Sequence, residues 1–478
     1  MKMAALLFSL VFFSFLSISN AKLSSSLGVC YGQLGNNLPS PAKSVELLKS
    51  LKVSQVKLYD PNPKILTALA GTKIHVLTMV PNEIISNISK NQSLSDEWVR
   101  LHILPFYPKT RITALLVGNE ILSPWQTNKT WVDLVPAMRR VRQSLKKYKL
   151  QKIKVGTPLA IDAVDQAIPY PPSNGTFRSD IAVSVMKPML QFLNRTKSFF
   201  FLDAYTYFPW SANPDKISLD YALFEGNVTY TDPVSGLLYT NLLDQILDSV
   251  VFAMTKMGYP NIPIFLAETG WPSNGDVDQI GGNVKNAATY NRNLIKRATA
   301  VPTYGTPARP GWAIPTLIFA LYNENTKPGP GTERNWGLLY PTGKPVYEVD
   351  LTGKRYDYPV LPEGKNNVPY KGKVWCVVAK GVINMTEVGN AVTYACGQGN
   401  GTCDAIQPGK ACYQPNSLVA HANYAFSSYW SQRRSIGATC YFNGVAVQTT
   451  KDPGTFHFVS ELSKYNSYGS CRFPSVTL

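Results

Sequence analysis

Between Leu27 and Asn325 one pattern recurs: a short apolar run rich in β-branched residues, a polar loop, then an amphipathic stretch. The apolar runs predict strands over 27–32, 55–60, 73–80, 112–120, 153–160, 201–208, 262–270 and 315–325. The amphipathic stretches predict helices over 44–51, 131–148, 180–193, 241–257 and 284–300. Strands alternating with helices imply a parallel sheet with crossover helices. Eight such units in roughly 300 residues fit a closed (β/α)₈ barrel. An open doubly wound sheet is the rival, but no G-x-G-x-x-G turn follows any strand.

Beyond the eighth strand a final helix-like piece is expected near Tyr347. From Arg355 to Lys373 the chain turns rich in Pro, Gly, Lys and Asn, hydrophobic periodicity stops, and a linker is expected. A small domain then begins at Trp375 and Cys376, with a helix over 417–430 and polar β-like runs near 440–450. The expected division is a leader over 1–21, a barrel domain over 22–354, a linker over 355–373 and a disulfide-rich α+β domain over 374–478.

The leader reading rests on a mostly apolar run from Ala4 to Leu16 that ends in the small residues Ser19, Asn20 and Ala21. No later stretch reaches the ~18 apolar residues of a membrane span. The segment from Arg472 to Leu478 lacks the hydrophobic tail of a lipid-anchor signal. Export to the extracellular space or cell wall is therefore expected. Sequons at Asn87, Asn91, Asn128, Asn174, Asn194, Asn227, Asn384 and Asn400 agree with it. So do six cysteines crowded into the C-terminal region, whose spacing implies disulfides rather than a metal site. Cys30 is left over, as a buried free thiol.

Of the 478 residues, 45% are hydrophobic and 16% charged, enough apolar material for a large core. The formal charge is +17, with basic residues scattered rather than blocked and no nucleic-acid motif beside them. That favours attraction to an acidic polysaccharide or anionic surface over nucleic acid. The four histidines lack ligand spacing, so neither metal nor cofactor is expected. A monomer is expected.

A closed α/β barrel places its chemistry at the C-terminal ends of its strands. Those ends carry Tyr31, Asp60, Asn119, Glu120, Tyr205, Tyr207, Glu268, Asn323 and Glu324. Glu120 and Glu268 each end an apolar run, and strands 4 and 7 lie across the mouth from one another. Two carboxylates converging on one molecule are what glycoside hydrolysis needs. For a single strand-end glutamate, a rim salt bridge explains the residue equally well; the pair is harder to dismiss.

The run Leu-Ala-Glu-Thr-Gly-Trp-Pro-Ser at 266–273 resembles the nucleophile signature of the plant β-1,3-glucanases, glycoside hydrolase family 17. Gly-Val-Cys-Tyr-Gly at 28–32, Val-Gly-Asn-Glu at 117–120, and the segments at 323–327 and 333–337 are similar to its other hallmarks. The resemblance implies a secreted endo-β-1,3-glucanase acting with retention through a covalent glycosyl-enzyme. Glu268 would be the nucleophile and Glu120 the general acid/base. On physical grounds Asn119 would hold the sugar 2-hydroxyl, and Glu324, Lys327 and Glu333 would form a charged cluster that either helps to keep Glu120 protonated or is a structural ion-pair network. Tyr31, Tyr205, Phe208, Trp271 and Trp336 would line the cleft as stacking platforms. Strand 6 departs from the family, with Asp203 where relatives have Asn and Thr206 where they have Pro. The alternatives are a weakly catalytic glucan-binding wall protein, a glucanosyltransferase and a mixed-linkage glucanase.

The C-terminal domain resembles the X8 module, carbohydrate-binding module family 43, through Trp375, Cys376, the Tyr-Ala-Cys at 394–396, the segments at 403–409 and 421–426, and Cys412. The resemblance implies binding to β-1,3-glucan and the pairs Cys376–Cys440, Cys396–Cys403 and Cys412–Cys471.

Overall fold

The computed structural model describes residues 27–124, 130–165, 171–382, 384–455 and 471–478. The leader at 1–21 and the sequon at Asn128 lie outside them. Eight parallel strands form the first domain: β1 (Leu27–Tyr31), β2 (Gln55–Leu58), β3 (His75–Val80), β4 (Arg111–Val117), β5 (Lys154–Gly156 and Pro158–Ala160), β6 (Phe200–Asp203), β7 (Ile264–Thr269) and β8 (Thr316–Ile318). β1 pairs with both β2 and β8. β5 is interrupted at Thr157; its first half pairs with β4 and its second with β6. The ring therefore closes, and the expected barrel is what the chain forms. Its strands are buried along almost their whole length, which is why they read as continuous apolar runs.

Helices α1 (Pro41–Ser50), α2 (Pro63–Ala68), α3 (Ile85–Lys90), α4 (Gln92–His102), α5 (Leu134–Lys147), α6 (Lys187–Thr196), α7 (Leu242–Lys256) and α8 (Val284–Ala298) pack outside the strands. Their starts are written locally. Ser40 caps α1 ahead of Pro41, and the Asn62, Asn241 and Asn283 side chains accept the first free N–H groups of α2, α7 and α8. The predicted helix at 180–193 is instead a short turn, a π-helical stretch (Ala182–Met186) and then α6. Strand 6 ends at Asp203, and Tyr207 begins a helix over Tyr207–Ala212. No helix forms at Tyr347; its buried ring is held by a hydrogen bond from Asn291 to its hydroxyl.

The second domain has its own core, around Trp375, Phe426 and Trp430. β9 (Lys373–Val378) is the middle strand of an antiparallel sheet with β10 (Ala446–Thr449) and β11 (Val476–Thr477). Helices α9 (Met385–Cys396) and α10 (Leu418–Arg433) cover it. Ser427 of α10 accepts from the Cys376 N–H and donates to the Cys376 carbonyl, fixing helix to strand. Disulfides join Cys376 to Cys440, Cys396 to Cys403 and Cys412 to Cys471. The intervening 355–373 segment is laid against the barrel: Glu363 pairs with Lys285, and Asn366 and Asn367 accept from Asn283.

Candidate active site

Glu268 lies near the end of β7, where the pairing with β6 shifts register between Leu266 and Glu268. Such a bulge re-aims a side chain. The residue is 5% exposed, yet its carboxylate is not left without partners. Lys57 Nζ donates to Oε1 at 2.7 Å, Tyr59 donates to the same oxygen at 2.5 Å, and Tyr205 donates to Oε2 at 2.6 Å. Burial pushes this carboxyl up, but the Lys57 ammonium and the three hydrogen bonds outweigh it and leave Glu268 below the ordinary value of 4.5.

Glu120 follows β4 with the opposite electrostatics. Its backbone is left-handed, with φ of 48°, and its N–H donates to the Pro158 carbonyl of β5. Gly118 makes the turn possible: its φ is 74°, and a Cβ there would sit 2.7 Å from both Asn82 Oδ1 and Ile85 Cδ1. Burial, and then the Glu268 charge, raise the Glu120 carboxyl to about 8; Lys57 and Lys327 pull the other way. One carboxyl holds a proton at neutral pH and the other does not.

Asn119 links the two. Its Oδ1 accepts from Lys57 at 3.1 Å, while Asn82 clamps its backbone through both N–H and carbonyl. Lys57, fully buried in β2, also lies 3.5 Å from Asp203 on β6. Burial, followed by the charge of Glu268, pushes Asp203 well above the ordinary carboxylate range. Lys57, Tyr59 and Asn82 were not singled out as site groups from the sequence, and Asp203 only as a departure from the family, although a lysine between Val56 and Leu58 in an apolar strand is a visible signal.

Around Glu268 the rings of Tyr59, Tyr205, Phe319 and Trp336 meet edge to face, with centroids 5.0–6.3 Å apart. Phe208, 46% exposed, packs its ring against Tyr205 and offers a face to the cleft. Three expected platforms, Tyr31, Trp271 and Trp336, are buried and do not line the cleft. Tyr31 is buried and donates to Ser44 on α1, on the outer side of the barrel wall. Trp271 is buried between Tyr207, Trp210 and Tyr290, with its N–H donating to the Gly281 carbonyl. Trp336 supports Tyr205 and Phe208 from beneath and is itself 3% exposed.

The expected charged cluster divides. Lys327 pairs with Glu333 at 2.9 Å, and its ammonium lies 4.2 Å from the centre of the Phe319 ring. Glu324 instead accepts from the Leu34 N–H at 2.7 Å, packed so closely on Gly32 that a Cβ there would meet both its oxygens at 2.4 Å. Lys327 lowers Glu120, so it opposes the protonation it was expected to support.

Comparison with known sequences agrees with this geometry: the profile of glycosyl hydrolases family 17 matches residues 27–351. The chain belongs to that family. The X8 domain profile matches residues 374–447. This family 17 chain is 52% identical over 458 residues to a probable glucan endo-1,3-beta-glucosidase, A6, of Arabidopsis thaliana, covering 95% of this chain and 92% of that one. It is 36% identical to a glucan endo-1,3-beta-D-glucosidase of Olea europaea, covering 98% of both. Among solved structures it resembles CJP38, a beta-1,3-glucanase and allergen of Cryptomeria japonica pollen, at 39% identity and a TM-score of 0.64, over 68% of this chain and 99% of that one.

Proposed function

We propose that the protein is an endo-β-1,3-glucanase working with retention, with Glu268 as nucleophile and Glu120 as general acid/base. The opposite protonation of the two carboxyls carries this reading: a retaining glycosidase needs one ionised and one protonated at the same pH. A Glu268 oxygen attacks the anomeric carbon as the glycosidic C–O bond breaks, and Glu120 gives its proton to the departing oxygen. Glu120, now a carboxylate, takes a proton from water, which attacks the same carbon and releases Glu268. Asn119, fixed by Lys57 and Asn82, is placed to hold the neighbouring sugar hydroxyl. The substrate follows from the glucan endo-1,3-beta-glucosidases it is similar to.

Reducing-sugar release from laminarin tests the reading, with Glu268→Gln and Glu120→Gln as controls. NMR of the first product reports its anomeric configuration. An initially inverted anomer overturns retention, and products longer than the substrate mark glucanosyl transfer instead.

The same proposal places the protein outside the cell, held on acidic wall polymers. Supporting this, a cavity of about 290 Å³ between the C-terminal halves of α5 and α6 is lined by Arg139, Arg142, Lys146 and Arg195, with no acidic residue. Helices here run antiparallel to the strands, so this cavity lies at the end of the barrel opposite the cleft, and an anion held there leaves the mouth open. Retention on a polygalacturonate column, released by salt, tests it.

A further inference from the structure

The linker and the second domain are fastened to the loops that follow β7 and β8. Asp278 in the β7 loop accepts from Arg434 Nη2 at 3.0 Å and from Gln448 at 3.1 Å. Its neighbour Val277 packs into the second domain's core. Tyr441 donates to the Asn325 carbonyl at 2.5 Å, one residue beyond Glu324, and the Arg334 guanidinium lies 3.7 Å from the centre of the Tyr441 ring. The two barrel loops are themselves tied: Asp276 accepts from the Gly331 N–H, and Gln279 both accepts from and donates to Thr332. On the inner side of the β8 loop, Lys327 rests on Phe319, whose ring faces Tyr59 and Tyr205 at Glu268.

A line of contacts thus runs from the nucleophile outward: Tyr205, Phe319 and Lys327, whose backbone carbonyl accepts from Arg334, the residue that lies over Tyr441 of the second domain. Tyr441 is followed in the chain by Phe442, half-buried against the core of the second domain. Phe442 stacks on Phe426 with centroids 4.3 Å apart, and Tyr394, 53% exposed, lies 6.4 Å from Phe442. Phe442 has a φ of 45°, a conformation uncommon for so bulky a residue. A pyranose ring presents apolar faces to such a strip.

We propose that the second domain is a fixed wall of the cleft and not a free tether, with Tyr441 and Tyr394 holding the glucan chain where it passes the Lys327 edge. This rests on the glucanase reading above. A flexible tether raises the local concentration of polymer but sets no register between the two sites. A docked domain sets one, so its benefit depends on chain length: a long glucan reaches both surfaces and a short one stays in the cleft.

The test uses the full chain with two substrates, long laminarin and laminaritetraose, together with proteolysis of the 355–373 segment. Arg434→Glu sets two acids face to face and should speed cleavage of the segment. It should lower kcat/KM on laminarin by about fivefold, the scale of a lost kilocalorie, with the tetraose rate held. The double change Asp278→Arg with Arg434→Asp should restore the laminarin rate. Tyr394→Ala, which leaves the seat intact, should lower laminarin turnover in the same way. Equal losses on both substrates overturn the proposal, as does an unchanged laminarin rate in both Arg434→Glu and Tyr394→Ala. A wild-type protein that cleaves neither substrate overturns the glucanase reading instead.

Discussion

Lys57 donates to Glu268 at 2.7 Å, with the lysine side chain wholly buried and the glutamate nearly so. An ammonium and a carboxylate removed from water hold each other in the charged state, and removing one strands the other. Lys57→Met should therefore destabilise the barrel by about 3–5 kcal/mol and raise the pH at which Glu268 ionises. Thermal denaturation checks the first effect. The acid limb of the kcat/KM profile checks the second, and should move toward higher pH.

Tyr59 and Tyr205 act on the same carboxylate from two sides. A hydrogen bond to a charged group is worth about 1.5–3 kcal/mol. Tyr59→Phe and Tyr205→Phe should each lower kcat/KM by about tenfold or more and move the acid limb upward. A loss of activity with the limb unmoved would mean that the hydroxyls only pack.

The alkaline limb belongs to Glu120, whose carboxyl is raised to about 8 by burial and by Glu268. With Glu120 as the proposed general acid, kcat/KM should fall as pH rises through about 8. Stability follows the same sense. The folded protein binds this proton more tightly than the unfolded chain does. The contribution is full below about 4.5 and is lost as pH climbs to about 8. Glu120→Gln should abolish hydrolysis and flatten the fall in Tm between about pH 4.5 and 8. A Tm profile identical to wild type would place the proton elsewhere.

Asp203 shares Lys57 with Glu268, so two buried carboxylates face one ammonium. Burial and the Glu268 charge keep Asp203 protonated above the usual carboxylate range. The neutral amide of Asp203→Asn should then preserve activity within about threefold and raise Tm at alkaline pH. A large loss of kcat at neutral pH would show that Asp203 works as an anion.

The barrel was legible because each strand is buried on both faces and so reads as an unbroken apolar run. Glu120 and Glu268 were legible because each ends such a run. The groups that tune them were not. Lys57 reaches Glu268 across 211 positions of sequence, a pairing that no local periodicity records. Strand-end aromatics reveal their place but not the direction they face, and so Tyr31 turned out to serve α1 and Trp271 the layer beneath the cleft. The linker's composition marked a segment without periodicity but not where it lies, with Asn366 and Asn367 pinned by Asn283 of the barrel.

The second domain depends on its cross-links unevenly. Cys376–Cys440 and Cys412–Cys471 span 64 and 59 residues, whereas Cys396–Cys403 spans 7. A cross-link restrains the unfolded chain more as the loop it closes grows, and removing a native one from a small domain costs about 2–5 kcal/mol. The double change Cys412→Ser with Cys471→Ser should thus lower the melting temperature of this domain more than Cys396→Ser with Cys403→Ser. The barrel, with a separate core, should show the smaller shift in both cases. Calorimetry of the full chain separates the two transitions; a barrel transition that falls as far as the C-terminal one would mean that the two domains unfold as a single unit.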